Sequence, residues 1–203
     1  MAMTALLVGT QNPGKFTEIT TIVGDVPYEL ISLANFAQIK TPDEDGSSYP
    51  ENAIIKALRY SVQSGLLTLA DDSGLEVEAL GGAPGLFSAR YAGESASDAD
   101  RRALLLSELG RTGVRIRTAR FVCAVAIAAP NGEVINVSEG ECWGQINSEA
   151  RGEGGFGYDP LFVPDGYDQT FAELPNLVKN KISHRGRALA KTREFLLEYS
   201  DQL

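Results

Sequence analysis

The chain has 203 residues, 43% of them hydrophobic, which is enough for one compact domain with a core and short for two independent domains. Its net charge of -9 argues against a nucleic acid polymer as partner, because such binding needs a field of Lys and Arg. No apolar run approaches the roughly 20 residues that span a bilayer, so no membrane partner is expected. The two cysteines are too few for a disulfide framework and indicate a reducing, cytoplasmic compartment.

The N-terminal segment predicts a strand, a loop and a helix. The apolar run Thr4–Val8 is typical of a short strand, turn residues follow at 11–14, and a helical period begins at Phe16. A second helix is predicted by Ser48 and Glu51 at capping-box spacing. Its apolar stripe comprises Ile54, Ile55, Leu58 and Val62. A different face carries polar side chains able to meet a ligand, namely Asn52, Lys56 and Arg59.

The middle of the chain predicts a buried strand, a helix and a hairpin. The apolar run 66–70 stops at Asp71 and Asp72, the pattern of a strand that ends in a loop. Ser97 is placed to cap a helix that reaches about residue 109, which we interpret as scaffold. Strands over 119–129 and 134–143, joined by a tight turn, then form a hairpin.

The C-terminal third contains a glycine cluster at 152–157, a short strand around 161–163 and a last helix starting near Ser183. A hairpin cannot belong to a purely parallel sheet. The order of elements therefore predicts an α/β domain with a mixed sheet.

Residues 9–15 fit the spacing G-x-x-x-x-G-K of a loop that cradles phosphate. The fit ends at Phe16, where a P-loop needs Ser or Thr for magnesium, and Pro13 removes a donor N–H. What remains is an anion-binding loop at a helix N-terminus, with Asn12 and Lys15 able to reach a phosphate. A capped turn with a surface lysine explains this segment equally well.

Acidic residues lie at 43–45 and at Asp71-Asp72. Hard oxygen ligands of this kind suit magnesium that is held together with substrate phosphates. A carboxylate at the end of a strand can instead act as a general base on water. A solvated loop is the alternative for 43–45, whereas Asp71-Asp72 is better placed, because ligands gather outside the carboxyl ends of strands in open α/β sheets.

The glycine cluster does not predict a dinucleotide site. Gly152, Gly154 and Gly157 match G-x-G-x-x-G, but no strand precedes them and no helix follows. We interpret these glycines as permitting close backbone approach to a flat group, with Phe156 and Tyr158 as stacking partners. Plain loop glycines and core aromatic residues are the alternative.

The single histidine, His184, is followed by Arg185 in the predicted first turn of the last helix. Positive charge is unfavourable there because of the helix dipole. An anionic or hydrogen-bonding ligand would explain this placement, and so would chance on a tolerant surface.

Seven stretches resemble the inosine triphosphate pyrophosphatase family, the noncanonical purine nucleoside triphosphate diphosphatases of the XTP/dITP type. In chain order they are VGTQNPGKFTEI, DGSSYPENAIIKAL, LADDSGLEVEALGGAPGLFSARYAG, ARFVCAV, GGFGYDPLFVP, TFAEL and ISHRGRAL. They extend over nearly the whole chain. The resemblance implies one bilobed domain over residues 1–203: an α/β fold with an elongated mixed sheet flanked by helices and an active-site cleft between two lobes. It also implies a homodimer.

The resemblance further assigns roles to residues. It implies Asp72 and Lys56 as catalytic residues, and Mg²⁺ as the cofactor. The implied metal ligands are Asp72 with Glu44 or its neighbour Asp43, where a slip of one residue would change the assignment. The implied substrate contacts are Thr10, Gln11, Asn12, Pro13, Gly14, Lys15, Ser73, Phe156, Gly157, Tyr158, Asp159, Lys179, His184 and Arg185.

The resulting hypothesis is hydrolysis of ITP, dITP and XTP to the monophosphate and pyrophosphate, which clears them from the nucleotide pool. Water activated by Asp72 would attack the α-phosphorus, while Lys15 and Lys56 stabilise the developing charge. One alternative is a P-loop-like phosphotransferase, against which Phe16 counts. A non-catalytic nucleotide-binding protein is the other alternative.

Overall fold

The computed structural model describes residues 3–200. The strands are β1 Thr4–Val8, β2 Tyr28–Ser32, β3 Leu67–Val77, β4 Thr118–Ala128, β5 Val134–Ile146 and β6 Phe162–Pro164. The α-helices are α1 Pro13–Ile22, α2 Tyr49–Ser64, α3 Asp98–Thr112, α4 Asn176–Ile182 and α5 His184–Ser200. The ends of the predicted domain, residues 1–2 and 201–203, lie outside the described residues.

The strands within residues 3–200 form one six-stranded sheet in the order β2-β1-β3-β4-β5-β6. Strand β1 pairs in parallel with β2 and with β3, whereas β5 pairs with β6 in antiparallel fashion. The predicted mixed α/β sheet is therefore confirmed. Strands β4 and β5 are neighbours joined by the predicted tight turn, in which Gly132 has a φ of 88°.

The prediction that a strand ends before Asp71 is wrong. Strand β3 continues through Asp71 and Asp72 to Val77, and the two aspartates are only 2% and 6% exposed. Successive side chains of a strand point to opposite faces, so one aspartate faces α1 and α5 and the other faces α2. Cations on those helices compensate the buried charges, which allows the strand to pass through both positions.

The buried face of α2 also differs from the predicted one. Ile54, Ile55 and Leu58 are only half-buried, and Val62 is 61% exposed. The residues that α2 buries are Tyr49, Asn52, Ala53, Lys56, Ala57, Tyr60 and Ser61. Two polar side chains of this buried face reach Asp72. The hydrophobic pattern failed here because a polar site takes the place of an apolar contact.

Several predicted helix boundaries are confirmed. Ser48 caps α2 by accepting a hydrogen bond from Glu51 N, and Ser97 caps α3 in a complete capping box with Asp100. Helix α5 begins at His184, directly after Ser183. Strand β2 and helix α4 were not predicted from the sequence.

The chain divides into two compact units, each with its own core. Unit 1 comprises the described parts of Met1–Asp72, Cys123–Gly140 and Arg185–Leu203. Its core is aliphatic and includes Leu6, Val8, Leu69, Val125, Ile127 and Leu189. Unit 2 comprises Ser73–Val122 and Glu141–His184. Its core is richer in aromatic rings and includes Phe121, Tyr158, Phe162 and Phe171.

The helices found between residues 3 and 200 are too short or too polar to cross a lipid bilayer.

Candidate active site

The loop between β1 and α1 is shaped by a close approach and a helix cap. A side chain on Gly9 would place its Cβ 2.8 Å from the ring of Tyr60 and 3.2 Å from Leu69 O, so only glycine fits. Asn12 caps α1, its Oδ1 accepting a hydrogen bond from Lys15 N at 3.0 Å. Pro13 then takes the first helical position, where no N–H is needed. The loop thus presents the N-terminal end of α1, which favours anions.

Other predicted loop contacts have partners within the protein. Thr10 Oγ1 accepts a hydrogen bond from Asn12 N at 3.2 Å, and Gln11 Nε2 donates to Thr41 Oγ1 at 2.7 Å. Gln11, Asn12 and Pro13 are exposed, while Gly14 is half-buried. The predicted phosphate loop is therefore an accessible turn at a helix N-terminus, with Lys15 directed toward β3.

A buried chain of charges runs inward from Lys15. Lys15 Nζ lies 3.0 Å from Asp71 Oδ2, and Arg185 Nε lies 3.2 Å from the same oxygen. Arg185 Nη1 also pairs with Glu18 Oε2 at 2.6 Å. Although burial opposes ionisation, Lys15, Arg185 and Lys56 hold the pKa of Asp71 well below its usual range. Asp71 is therefore an anion that fixes two cations.

Asp72 is the centre of a second cluster, held from α2. Its Oδ2 accepts a hydrogen bond from Asn52 Nδ2 and its Oδ1 one from Lys56 Nζ, each at 3.1 Å. Burial raises the pKa of Asp72 and outweighs the opposing effect of the Lys56 ammonium. Burial lowers the pKa of Lys56, but the carboxylates of Asp72, Asp71 and Glu44 outweigh it and raise that pKa. Asp72 is therefore a fixed carboxylate with increased basicity.

Only one residue of the acidic loop 43–45 reaches this cluster through an ion pair. Glu44 Oε1 lies 3.1 Å from Lys56 Nζ, so the same ammonium contacts Glu44 and Asp72. Asp43 and Asp45 are exposed. The geometry therefore distinguishes Glu44 from its neighbours, which the sequence did not.

The donor set of unit 1 fits a hard divalent cation. The carboxylates of Glu44 and Asp72 converge on one ammonium, and the buried Asp71 Oδ1 has no hydrogen-bond partner among the described residues. No group of three or more His, Cys, Asp or Glu side chains able to hold a metal occurs within residues 3–200. Magnesium commonly binds to one or two carboxylates together with substrate phosphates, and that mode matches these residues.

Unit 2 holds a second polar cluster, in the turn that follows the glycine cluster. Asp159 Oδ2 accepts hydrogen bonds from Phe156 N at 2.9 Å and from Lys179 Nζ at 2.5 Å. The Lys179 ammonium also lies 5.0 Å from the centroid of the Phe156 ring, a cation–π distance. Lys179 and Asp159 are 3% and 4% exposed. These three residues, predicted as base contacts, therefore lie together.

The glycine cluster and Tyr158 make contacts within the protein, as the alternative interpretation expects. Gly152 and Gly154 approach the backbone of Ala172, where an added Cβ would lie 2.6 Å and 2.8 Å from its atoms, so the close approach is to the protein itself. Tyr158 is packed in the core of unit 2 and its hydroxyl donates to Ser88 O at 3.0 Å, so its stacking on a base stays a prediction with less support. Phe156 is half-buried and remains the candidate stacking ring.

The remaining predicted residues are distributed over the two units. His184 is 4% exposed and stacks on Phe121 at a centroid distance of 4.5 Å in unit 2. Arg185 belongs to the charge chain of unit 1, where Asp71 and Glu18 supply the negative charge that was expected from a ligand. Ser73 is half-buried and follows Asp72 in β3.

Sequence reasoning did not identify Glu18 as part of the site. Its position three residues after Lys15, on the same face of α1, was the available signal. Its partner Arg185 is 167 positions away along the chain, and this pairing cannot be read from spacing.

A family model described as the Ham1 family matches residues 6–195. The chain belongs to the Ham1 family. The dITP/XTP pyrophosphatase of Desulforamulus reducens is 50% identical over 191 residues, which cover 94% of each chain. That of Geobacter sulfurreducens is 48% identical over 194 residues, covering 96% of this chain and 97% of the relative. These findings confirm the family resemblance seen in the sequence.

Solved Ham1 structures show the same fold. A HAM1 protein from Coxiella burnetii matches with a TM-score of 0.88 and 40% identity, covering 97% of this chain and 100% of that one. The Staphylococcus aureus Ham1 protein matches with a TM-score of 0.83 and 38% identity, covering 96% and 99%. Membership of this family implies a divalent-metal-dependent hydrolase.

Proposed function

We propose that this protein hydrolyses the noncanonical purine nucleoside triphosphates ITP, dITP and XTP to the monophosphate and pyrophosphate, with Mg²⁺ as cofactor. The main structural support for the proposal is that the Lys56 ammonium contacts both the Glu44 and the Asp72 carboxylates at 3.1 Å. The pyrophosphatase names of relatives at 44–50% identity support the same reaction. Removal of these nucleotides from the precursor pool would be the role in the cell.

Glu44 and Asp72 would hold the metal ion, since they are the two carboxylates that Lys56 brings together. When bound, the metal ion would neutralise triphosphate charge. Asp43 stays the alternative metal ligand that the family resemblance allows. Its side chain is exposed, so the structure supports it as a ligand less than it supports Glu44.

Asp72 would orient and deprotonate the attacking water. Asn52 and Lys56 each donate a hydrogen bond to one of its oxygens, so the carboxylate cannot rotate freely. Each oxygen keeps a further lone pair for a water. A raised pKa increases the basicity of the carboxylate, as a general base requires.

Lys15, the N-terminal end of α1 and Lys56 would bind the phosphates. Asp71 holds the Lys15 ammonium 3.0 Å away and so reduces the freedom of a flexible side chain. Lys56 would stabilise the charge that develops at the reacting phosphate, since it lies beside the proposed base. Thr10, Gln11, Asn12, Pro13, Gly14 and Ser73 stay the further predicted contacts.

Residues of unit 2 would recognise the base. An ammonium only donates hydrogen bonds, so Lys179 suits the keto oxygen of hypoxanthine or xanthine and opposes the amino group of adenine. Phe156 offers a ring face for stacking, and Asp159 holds the Lys179 ammonium in place. The predicted base or phosphate contacts Gly157, Tyr158, His184 and Arg185 would act through the backbone or through packing.

The deciding experiment is product identification with purified protein, ITP and MgCl₂, with ATP in parallel. We expect IMP and pyrophosphate from ITP and little product from ATP. EDTA should stop the reaction, and added Mg²⁺ should restore it. Production of IDP and phosphate would contradict the proposal.

Neither alternative function finds support. A P-loop-like phosphotransferase lacks the Ser or Thr that Phe16 replaces, and the relatives are named pyrophosphatases. A non-catalytic nucleotide-binding protein would bind ITP without forming product, which the same experiment detects.

A homodimer and a cytoplasmic location stay predictions. Light scattering coupled to size-exclusion chromatography would test the first, since the monomer has a mass of 21.7 kDa. Cell fractionation would test the second.

A further inference from the structure

The turn 155–159 carries the proposed base-recognition residues and is closed by its own hydrogen bonds. Asp159 Oδ2 accepts from Phe156 N at 2.9 Å, and Asp159 N donates to Phe156 O at 3.1 Å. Gly157, between them, has a φ of 60°, a conformation that favours glycine. The end of the turn at Asp159 is also held by Ala172 N, which donates to Asp159 O at 3.3 Å. The corner at Gly157 is held separately, by the partners of its peptide groups.

The first two turns of α3 hold both backbone polar groups of Gly157. Gly157 N donates to Asp98 Oδ2 at 2.7 Å, and Arg102 Nη1 donates to Gly157 O at 2.7 Å. Asp98 and Arg102 are four residues apart and therefore lie on one face of the helix. Both bonds involve a charged side chain, which makes them stronger than bonds between neutral groups.

Helix α3 is anchored at its N-terminus and in the core of unit 2, and it therefore holds these two side chains in place. Its N-terminus has a complete capping box of Ser97 and Asp100, and Leu105 and Leu109 are fully buried in the core of unit 2. Asp98 is itself fixed, since its Oδ1 accepts a hydrogen bond from Arg101 Nη1 at 2.6 Å. A rigid helix therefore reaches the turn through two charged side chains.

We propose that Asp98 and Arg102 are positioning residues that set base selectivity by holding the turn 155–159 in place. The inference rests on the proposed function, because the turn recognises a base only if that function holds. Selectivity by hydrogen bonds depends on donor and acceptor positions within a fraction of an ångström. Gly157 is half-buried, so water could form hydrogen bonds with its peptide groups in place of either side chain. The need to pair these groups therefore does not by itself explain why two charged residues are present.

Loss of either contact would loosen the turn at Gly157 without touching the charge clusters of unit 1. Phe156 and Asp159 would then sample other orientations, and Lys179 would follow, since its ammonium is bound to Asp159. We therefore expect weaker binding of ITP, a smaller preference for ITP over ATP, and a turnover number that changes little.

The test measures kcat and KM for ITP and ATP in the variants Arg102→Ala and Asp98→Ala. Inorganic tripolyphosphate serves as a competitor that has phosphates and no base. We expect the KM for ITP to rise about tenfold and the preference for ITP over ATP to fall about tenfold, while kcat stays within about twofold of wild type. The inhibition constant of tripolyphosphate should stay at the wild-type value.

Conservative variants and a control complete the test. Arg102→Lys keeps a donor and Asp98→Asn keeps an acceptor, so both should recover most of the preference for ITP. Arg111→Ala removes an exposed arginine at the other end of α3 and should behave as wild type. If Arg102→Ala fails to fold, Arg102→Met carries the same comparison, because methionine removes the donor with a smaller change of volume.

The outcomes separate this inference from the proposed function. Wild-type protein that makes IDP, or treats ITP and ATP alike, contradicts the proposed function before any variant is measured. Selective wild-type protein with variants of unchanged ITP-over-ATP preference overturns the positioning role. A rise of the tripolyphosphate inhibition constant equal to the rise in KM overturns it as well, because the effect would then lie in phosphate binding.

Discussion

The two units contain polar clusters of different kinds. In unit 1, Lys15, Lys56 and Arg185 pair with four carboxylates, and most of these side chains are buried. In unit 2, a buried ion pair between Lys179 and Asp159 is surrounded by aromatic rings and by hydrogen bonds to backbone groups. The first cluster is a network of charges, and the second is a shaped turn with one ammonium.

This difference matches two different tasks. A buried charge network holds cations and carboxylates at fixed positions and stabilises charge that develops during phosphoryl transfer. A turn with one donor and one ring discriminates between bases, because a wrong base leaves a buried polar group unpaired. Substitutions in unit 1 should therefore affect turnover and stability, whereas those in unit 2 should affect the choice of nucleotide.

The largest effect is expected for Asp72→Asn in unit 1. The amide keeps the shape of the side chain and loses the basic oxygen, so kcat for ITP should fall about 10³-fold. Calorimetric titration should still detect binding of ITP, because the phosphate-binding cations remain. Turnover within tenfold of wild type would remove Asp72 from the role of base.

A large loss of stability is expected for Asp71→Asn. The substitution leaves buried Arg185 with one carboxylate partner fewer and removes the anion that holds Lys15. Removing one member of a buried ion pair costs about 3 kcal/mol in the free energy of unfolding, which urea denaturation measures. Asp165→Asn, at an exposed position, is the control and should change that free energy by less than about 0.5 kcal/mol. Equal midpoints for both variants would contradict the proposed importance of the charge chain.

Lys179→Met should alter the choice of nucleotide in unit 2. Methionine keeps the length and apolar stem of the side chain but cannot donate a hydrogen bond to a keto oxygen. We expect kcat/KM for ITP to fall about 30-fold and that for ATP to fall less than about threefold. Equal losses for both nucleotides would show that Lys179 acts through structure alone.

The sequence was informative where a local signal existed. Ser97 predicted the start of α3, and the turn around Gly132 predicted the hairpin, because a cap and a tight turn each depend on few neighbouring residues. The motif stretches led to the family. The strand through Asp71 and Asp72 was misjudged, since only cations far away in the sequence make buried carboxylates acceptable in β3.

The sequence indicated candidate site residues, which stay predictions, but it could not indicate which of them pair. Glu44 could not be distinguished from Asp43, because the choice depends on which carboxylate reaches Lys56 across 12 positions of the chain. The role of α3 was missed for a similar reason. Arg102 contacts Gly157 at a separation of 55 residues, and nothing in the sequence near Arg102 indicates it.

The smallest effect is expected for Tyr158→Phe, which tests whether this ring belongs to the core of unit 2. The variant loses one buried hydrogen bond, from the Tyr158 hydroxyl to Ser88 O, and should lose about 1 kcal/mol of stability in urea denaturation. Because the Tyr158 ring packs in the core of unit 2 and its hydroxyl is bound to Ser88 O, the ring should not contact the base, and KM for ITP should stay within about twofold of wild type.

Phe156→Leu is the matched comparison, since it replaces the half-buried ring that lies 5.0 Å from the Lys179 ammonium. A ring that stacks on the base contributes about 1–3 kcal/mol, so this variant should raise KM for ITP by about tenfold or more. If Tyr158→Phe raised KM as much as Phe156→Leu, the hydroxyl of Tyr158 would matter for binding. The turn would then depend on Ser88 for its position, as well as on α3.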